Sequence, residues 1–267
     1  MTISRKAEAA EYRLLSADEP PAAMLERAEA ASDFLLACDH AGHDIPRVLD
    51  GLGLSEAERA SHIAWDIGAA GVARRLAERL DAALVLQRYS RLVIDCNRPL
   101  GAPDSIAQRS EWTRIAGNEN LPEQEIEARQ REIFEPYHAA LRDLIEARLR
   151  RRQRTILVSL HSFTPAFRGE ARPWHIGVMY HRDERLAAEL LRLLRGDERL
   201  VVGDNQPYSI DDETDYTIPV HGESRGIPHV ALELRQDLVG DEAAQAGWAG
   251  RLARLLKQGA AALATAA

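Results

Sequence analysis

The sequence predicts an α/β fold: a three-layer α/β/α arrangement around a mixed, largely parallel sheet. Three observations carry that expectation. Short continuous apolar runs such as Phe34-Leu35-Leu36-Ala37 and Ile156-Leu157-Val158 alternate with longer stretches of helical periodicity, as expected when both faces of a sheet are covered. The main runs end in polar or ionisable residues, which in a parallel sheet come together at the carboxyl edge. Finally, a 267-residue chain that is 45% hydrophobic and 28% charged has the composition of an ordinary globular protein, and one domain with its core over about 30–264 suffices.

Strands fit about 33–38, 83–87, 91–96, 155–160, 199–203 and 228–234. Residues 55–81 place Ile63, Ile67, Ala70, Val72, Leu76 and Leu80 at helical spacing after a Ser55-Glu56 start, which predicts one amphipathic helix. Further helices fit 122–152, opening with Pro122-Glu123 and carrying Ile126, Ile133, Phe134, Leu141 and Leu144, then 183–195 and 241–264. Two long connections, 101–121 and 205–226, are rich in Gly, Pro, Asp, Ser and Asn, a composition and length common in binding loops. The second carries Asn205, Tyr208 and a lone His221, so substrate selectivity is expected there.

Composition excludes several classes. A net charge of -8 and the lack of a basic domain argue against nucleic acid, and no run reaches the ~18 apolar residues of a membrane span. Two cysteines, Cys38 and Cys96, make no disulfide framework, and each ends a candidate strand where a small buried hydrophobe fits. With no apolar leader after Met1, a cytoplasmic enzyme is expected.

The chemistry concentrates at strand ends. Cys38-Asp39-His40-Ala41-Gly42-His43-Asp44-Ile45-Pro46 follows the first apolar run, and His161 closes Ile156-Leu157-Val158-Ser159-Leu160. Histidines and carboxylates so placed suit a catalytic Zn2+ or other divalent ion, which takes three protein ligands and leaves a position for water. His40 and His161 are the first two ligands. Asp66, one turn after His62 on the expected helix, and His43, three residues after His40, compete for the third. Glu233, ending Val230-Ala231-Leu232, is the expected general base, since burial raises a carboxyl toward the range where it accepts a proton from water. Arg235 stands beside it as a substrate contact or as its salt-bridge partner. Arg91, Asn97 and Arg98 offer donors for a substrate carboxylate or an oxyanion, with Asp95 holding an arginine or a ligand histidine in place.

These segments resemble the ordered motifs of the N-formylglutamate amidohydrolase family. The resemblance rests on Cys38-Asp39-His40-Ala41-Gly42 with Ile45-Pro46, Asp66-Ile67-Gly68-Ala69, Ser90-Arg91-Leu92-Val93-Ile94-Asp95-Cys96-Asn97-Arg98-Pro99, Leu160-His161-Ser162-Phe163, Asn205-Gln206-Pro207-Tyr208-Ser209 and Glu233-Leu234-Arg235-Gln236-Asp237-Leu238. The Asp-x-Asn-Arg segment is also similar to that of zinc carboxypeptidases and aspartoacylase. The resemblance implies a phosphorylase/hydrolase-like α/β/α fold and a zinc amidohydrolase of histidine breakdown. It assigns His40 and His161 to metal, Asn97 and Arg98 to the substrate carboxylate, and Glu233 to catalysis. Two departures stand out. The wider carboxypeptidase group has a Glu where this chain has His43, so Asp66 or His43 must supply the second ligand of that pattern. Cys38-Asp39 replaces a Pro found before the His in more typical members, which marks a divergent subgroup.

The expected activity is metal-dependent cleavage of the N-formyl or N-acyl amide of an acidic amino acid, with Glu233 and Arg91 catalytic, Asn97, Arg98, Asn205, Tyr208 and Arg235 on the substrate, and no partner but a small molecule. A deacylase or peptidase for another N-acyl amino acid would use the same residues, and a non-catalytic protein that binds small carboxylates is the third class.

Overall fold

In the computed structural model, which describes residues 12–265, strands and helices alternate along most of the chain. In order they are β1 (Ala23–Glu26), β2 (Phe34–Cys38), α1 (Glu56–Arg59), α2 (Ala69–Leu80), β3 (Ala83–Gln87), the hairpin β4 (Arg109–Ser110) and β5 (Thr113–Arg114), α3 (Glu123–Arg129), α4 (Glu135–Arg150), β6 (Ile156–Phe163), the hairpin β7 (Ala166–Phe167) and β8 (Glu170–Ala171), β9 (Ile176–Met179), α5 (Arg185–Arg195), β10 (Val202–Asp204), β11 (His229–Arg235) and α6 (Glu242–Thr265). Seven strands form one sheet in the order β1-β3-β2-β6-β11-β9-β10. The central strands β3, β2, β6 and β11 are parallel, β1 is antiparallel at one edge, and β9 with β10 runs against β11 at the other.

Alternation along the strands sorts side chains to two faces. Leu36, Leu84, Val158, Leu160, Val230 and Leu232 pack on the face covered by α2, α5 and α6. Leu35, Val85, Leu157 and Ala231 face the other way, onto Phe134, Tyr137, Leu141 and Ile145 of the α3–α4 segment. Each buried Leu contributes ~1.5–3 kcal/mol of transfer free energy, so both layers are needed to hold the parallel strands. By the same parity Ser159, His161 and Glu233 lie on the α3–α4 face, and this places the site.

Local chemistry sets the boundaries. Ser55 and Glu58 form a capping box that starts α1. At Gly68, before α2, φ is +81°, and a Cβ there would lie 2.3 Å from the Val239 carbonyl oxygen, so the turn requires glycine.

Three expected elements differ. The segment 91–96 is not a strand: Ser90 Oγ accepts from the Leu92 N–H and donates to the Ala64 carbonyl, which turns the chain away from the sheet. Leu92, Val93, Ile94 and Cys96 are buried all the same, because an apolar run can fill a core without a ladder. The helix expected over 55–81 is two pieces, since the Ala64 carbonyl takes bonds from Ser90 and Arg91, and the Asp66 N–H bonds the His40 carbonyl. The strand expected at 199–203 begins at Val202. The edge strand β1 and β9, four residues each, fall outside the expected spans, and both are shorter than periodicity resolves. Among the described residues no helix is long and apolar enough to cross a membrane.

Candidate metal centre and active site

The carboxyl ends of β2, β6 and β11 meet on the floor of a cavity of about 640 Å3. His40 lies two residues past β2, and His161 on β6 is the register partner of Glu233 on β11. Asp66 enters from the turn before α2, pinned by its own N–H to the His40 carbonyl at 3.0 Å. Strand pairing therefore sets His161 beside Glu233, while one backbone bond sets Asp66 beside His40.

His161 Nδ1 lies 2.9 Å from Asp66 Oδ2, and His40 Nδ1 lies 3.4 Å from the same oxygen. The other ring nitrogens face different carboxylates: His40 Nε2 is 2.7 Å from Asp95 Oδ1, and His161 Nε2 is 3.1 Å from Asp39 Oδ2 and 2.9 Å from Ser159 Oγ. A carboxylate that accepts from Nε2–H fixes the tautomer in which Nδ1 carries a lone pair. Two Nδ1 lone pairs and one carboxylate oxygen then converge, with all three ligand atoms within 4.8 Å of one another. Such a mixed nitrogen and oxygen set suits a divalent cation.

The charge balance agrees. Asp39, Asp66 and Asp95 are 0%, 4% and 4% exposed, and Arg91 is the one guanidinium in contact with any of them among the described residues. Burial opposes the charge on each of these aspartates, yet the histidines and Arg91 hold all three below the usual carboxylate range. Burial likewise opposes charge on His161 and His40, and the surrounding carboxylates still raise both pKa values. With both imidazoles neutral, as metal ligation requires, three buried aspartates face one guanidinium, and a divalent ion on His40, Asp66 and His161 would restore the balance.

Glu233 differs from these aspartates. Burial pushes its pKa up to about 7, and its Oε2 is buried without a hydrogen-bond partner. A carboxyl tuned toward neutrality with one vacant acceptor is equipped to take and return a proton. Arg91 binds Asp95 Oδ2 through Nε at 3.0 Å and Nη2 at 2.7 Å, so Asp95 holds both an arginine and His40.

His40, Asp66, His161, Glu233, Arg91, Asn97, Arg98 and Tyr208 all line the cavity. Asn97 and Arg98 are heavily committed to the 205–226 loop. Asn97 Oδ1 accepts from the Tyr216 and Thr217 N–H groups, and Arg98 binds Asp104 and the Thr214 carbonyl. Three expected residues lie elsewhere. His43 stacks on Trp65 at 4.6 Å outside the cavity, because the Gly42 backbone rests against Arg88 and turns the loop outward. Asn205 uses its Oδ1 on the Tyr180 N–H, and Arg235 binds Asp237 and the Arg172 and Pro173 carbonyls. Neither lines the cavity, and Arg235 forms no ion pair with Glu233. A second metal-like group, His181, Asp212 and Glu223, is on the surface and already bridged by Arg182.

Sequence reasoning missed Asp39. This fully buried carboxylate gathers Tyr137, Thr217, Ser159 and His161. The available signal was parity: residues 35, 37 and 39 point to the face of Ser159 and His161.

Comparison with known proteins completes the description. Residues 32–239 match the family described as FGase, N-formylglutamate amidohydrolase. No curated protein matches the sequence. Gene product Atu2144 from Agrobacterium tumefaciens is 38% identical, with a TM-score of 0.91 over 94% of this chain and 99% of that one. The N-formylglutamate amidohydrolase from Ralstonia eutropha JMP134 shares the fold at 17% identity, with a TM-score of 0.58 over 90% of this chain and 100% of that one. The matched segment runs from before β2 to beyond β11 and contains His40, Asp66, His161 and Glu233, so this chain belongs to the N-formylglutamate amidohydrolase family, hydrolases of linear amide bonds.

Proposed function

We propose that this protein is a divalent-metal-dependent amidohydrolase that removes an N-formyl or other short N-acyl group from an acidic amino acid such as N-formyl-L-glutamate. The observation that carries it is the convergence of His40 Nδ1, His161 Nδ1 and Asp66 Oδ2 in one cavity with the vacant Oε2 of Glu233. Those three residues would hold the ion, with Zn2+ the natural occupant of two imidazoles and a carboxylate. When bound, such an ion supplies Lewis-acid polarisation of the amide carbonyl and a lowered water pKa. Glu233 takes a proton from the attacking water at Oε2 and returns it to the departing amine nitrogen, a role matched to a pKa near neutrality. Arg91, braced by Asp95 and Asp66, holds positive charge where the carbonyl oxygen becomes negative. Arg98 keeps Nη2 free of the bonds it makes to Asp104, Asn97 and Thr214, and with it binds the α-carboxylate. The charge of -8 disfavours nucleic acid and leaves a small molecule as the partner, and the two free, buried thiols suit a reducing cytoplasm.

The test is amine release from N-formyl and N-acetyl amino acids by metal-stripped protein, with and without Zn2+, beside Glu233→Gln. Zinc-dependent release from N-formyl-L-glutamate, reduced ~100-fold or more in Glu233→Gln, is expected. Activity confined to other acyl groups keeps the mechanism and changes the substrate. Hydrolysis that persists without metal or in Glu233→Gln refutes the assignment.

A further inference from the structure

Arg172 has no part in the chemistry above, yet its surroundings single it out. Its Nη1 donates to Tyr208 Oη at 2.7 Å, and its guanidinium carbon lies 4.6 Å from the Phe167 ring centroid and 4.8 Å from that of Tyr208. Arg91 and Arg98 pair with Asp95 and Asp104, whereas no carboxylate pairs with Arg172 among the described residues. The Arg172 carbonyl in turn accepts from Arg235 at 3.3 Å, which gives that arginine a structural use. An uncompensated guanidinium is thus fixed against Phe167 and Tyr208, two rings that line the cavity.

Tyr208 is delivered there by a tightly seated loop. A Cβ on Gly177 would lie 2.1 Å from the Gln206 carbonyl oxygen and one on Gly203 2.4 Å from it, so the backbone just before Tyr208 rests directly on β9 and β10. Gly177 is also the register partner of Glu233, so the seat adjoins the strand of the proposed base. Since Tyr208 Oη accepts from Arg172, its own proton remains to be given, and the side chain lines the cavity. Glu233 and Arg91 line the same cavity.

We propose that Tyr208 donates its hydroxyl proton in a hydrogen bond to the side-chain carboxylate of the substrate, and that Arg172 is the residue that positions it. The pair then selects an acidic N-acyl amino acid over its uncharged isostere, while Arg98 holds the α-carboxylate. This rests on the amidohydrolase assignment for its substrate class.

The experiment compares N-formyl-L-glutamate with N-formyl-L-glutamine on the zinc-loaded wild type, Arg172→Met, Arg172→Lys, Tyr208→Phe and the double variant Arg172→Met/Tyr208→Phe. Where the wild type turns these over, kcat and KM are read; where it does not, the dissociation constants of the same two ligands are read by calorimetry. Lack of turnover of both removes the N-formyl amide as the bond cleaved and leaves the test of the pair intact. The preference for glutamate is expected to fall about tenfold or more in Arg172→Met and in Tyr208→Phe, through KM rather than kcat. The double variant should lose no more than Tyr208→Phe, and Arg172→Lys should recover part of the preference. Equal losses on both ligands, additive losses in the double variant, or a wild type without preference for the acid would each overturn the proposal.

Discussion

Asp39→Asn is the most discriminating perturbation of the centre. Asp39 Oδ1 accepts from Tyr137 Oη at 2.8 Å and from Thr217 Oγ1, and Oδ2 accepts from Ser159 Oγ at 3.0 Å and faces His161 Nε2 at 3.1 Å. Asparagine keeps the volume and the first oxygen but presents an NH2 in place of the second. The Ser159 hydroxyl can rotate to accept from it. His161 can accept only by moving its proton from Nε2 to Nδ1, which removes the lone pair that faces Asp66 Oδ2. Outer partners of this kind are worth about 10–100-fold in metal affinity, or ~1.4–2.8 kcal/mol. Asp39→Ala, by contrast, leaves the buried hydroxyls of Tyr137 and Thr217 and the His161 ring without a shared acceptor, and is expected to destabilise the fold by roughly 3–5 kcal/mol. Chelator competition gives the Zn2+ affinity and urea unfolding gives the stability. Asparagine should weaken metal binding well before it unfolds the protein. Wild-type zinc affinity in a folded Asp39→Asn protein would show that Asp39 does not control the His161 tautomer.

Three further outcomes follow from the same geometry. His138 and His221 are buried 3.0 Å apart, and burial pushes their pKa values down to about 4 and about 3, so below the free-imidazole value of about 6.5 the unfolded chain takes up protons that the fold refuses. Stability should therefore be unaffected by this pair above about pH 6.5 and fall as pH drops toward 4, by ~1.4 kcal/mol per unit for each ring, and His221→Phe should lessen that slope in urea melts at pH 7, 6 and 5; coincident slopes refute it. Gly177→Ala must push the Gln206 carbonyl off its seat, so KM should rise with a smaller change in kcat and stability should fall ~1–3 kcal/mol; unchanged kinetics would show that the seat does not place Tyr208. His43→Ala should bind Zn2+ within ~0.5 kcal/mol of wild type, since His43 stacks on Trp65 outside the cavity, and a large loss would restore it as a ligand.

The sheet was legible because burial on both faces writes a strand as an unbroken apolar run: β2, β3 and β11 lie within one residue of the expected spans, and β6 starts within one residue and runs three residues further. The same signal failed at 91–96, where Leu92, Val93, Ile94 and Cys96 are equally apolar and equally buried but the chain turns around the Ser90 hydroxyl. Hydropathy reports burial, and the choice between ladder and turn is made by hydrogen bonds that periodicity does not encode. The strands β1 and β9 are only four residues long, and their partners, β3 and β11, are distant in sequence.

Asp66 joins the candidate centre by a route other than the element that suggests it. Its spacing from His62 suggests one helix face, yet no helix spans the two, and His62 faces Glu111 at 3.4 Å. Asp66 reaches the centre because Gly68 turns the chain into α2 and the His40 carbonyl takes the Asp66 N–H. His40, His161 and Glu233 were legible for a firmer reason. Each lies on or just past a parallel strand, and strand direction alone brings such residues to one edge. What direction cannot supply is the partner of each ring nitrogen. Asp95 and Asp39 are chosen by tertiary packing across 55 and 122 residues, and these carboxylates decide which nitrogen keeps its lone pair. The sequence therefore exposes the candidate ligands and Asp95 more readily than Asp39, and substitutions at Asp39 and Asp95 test the assignment more sharply than removal of a histidine.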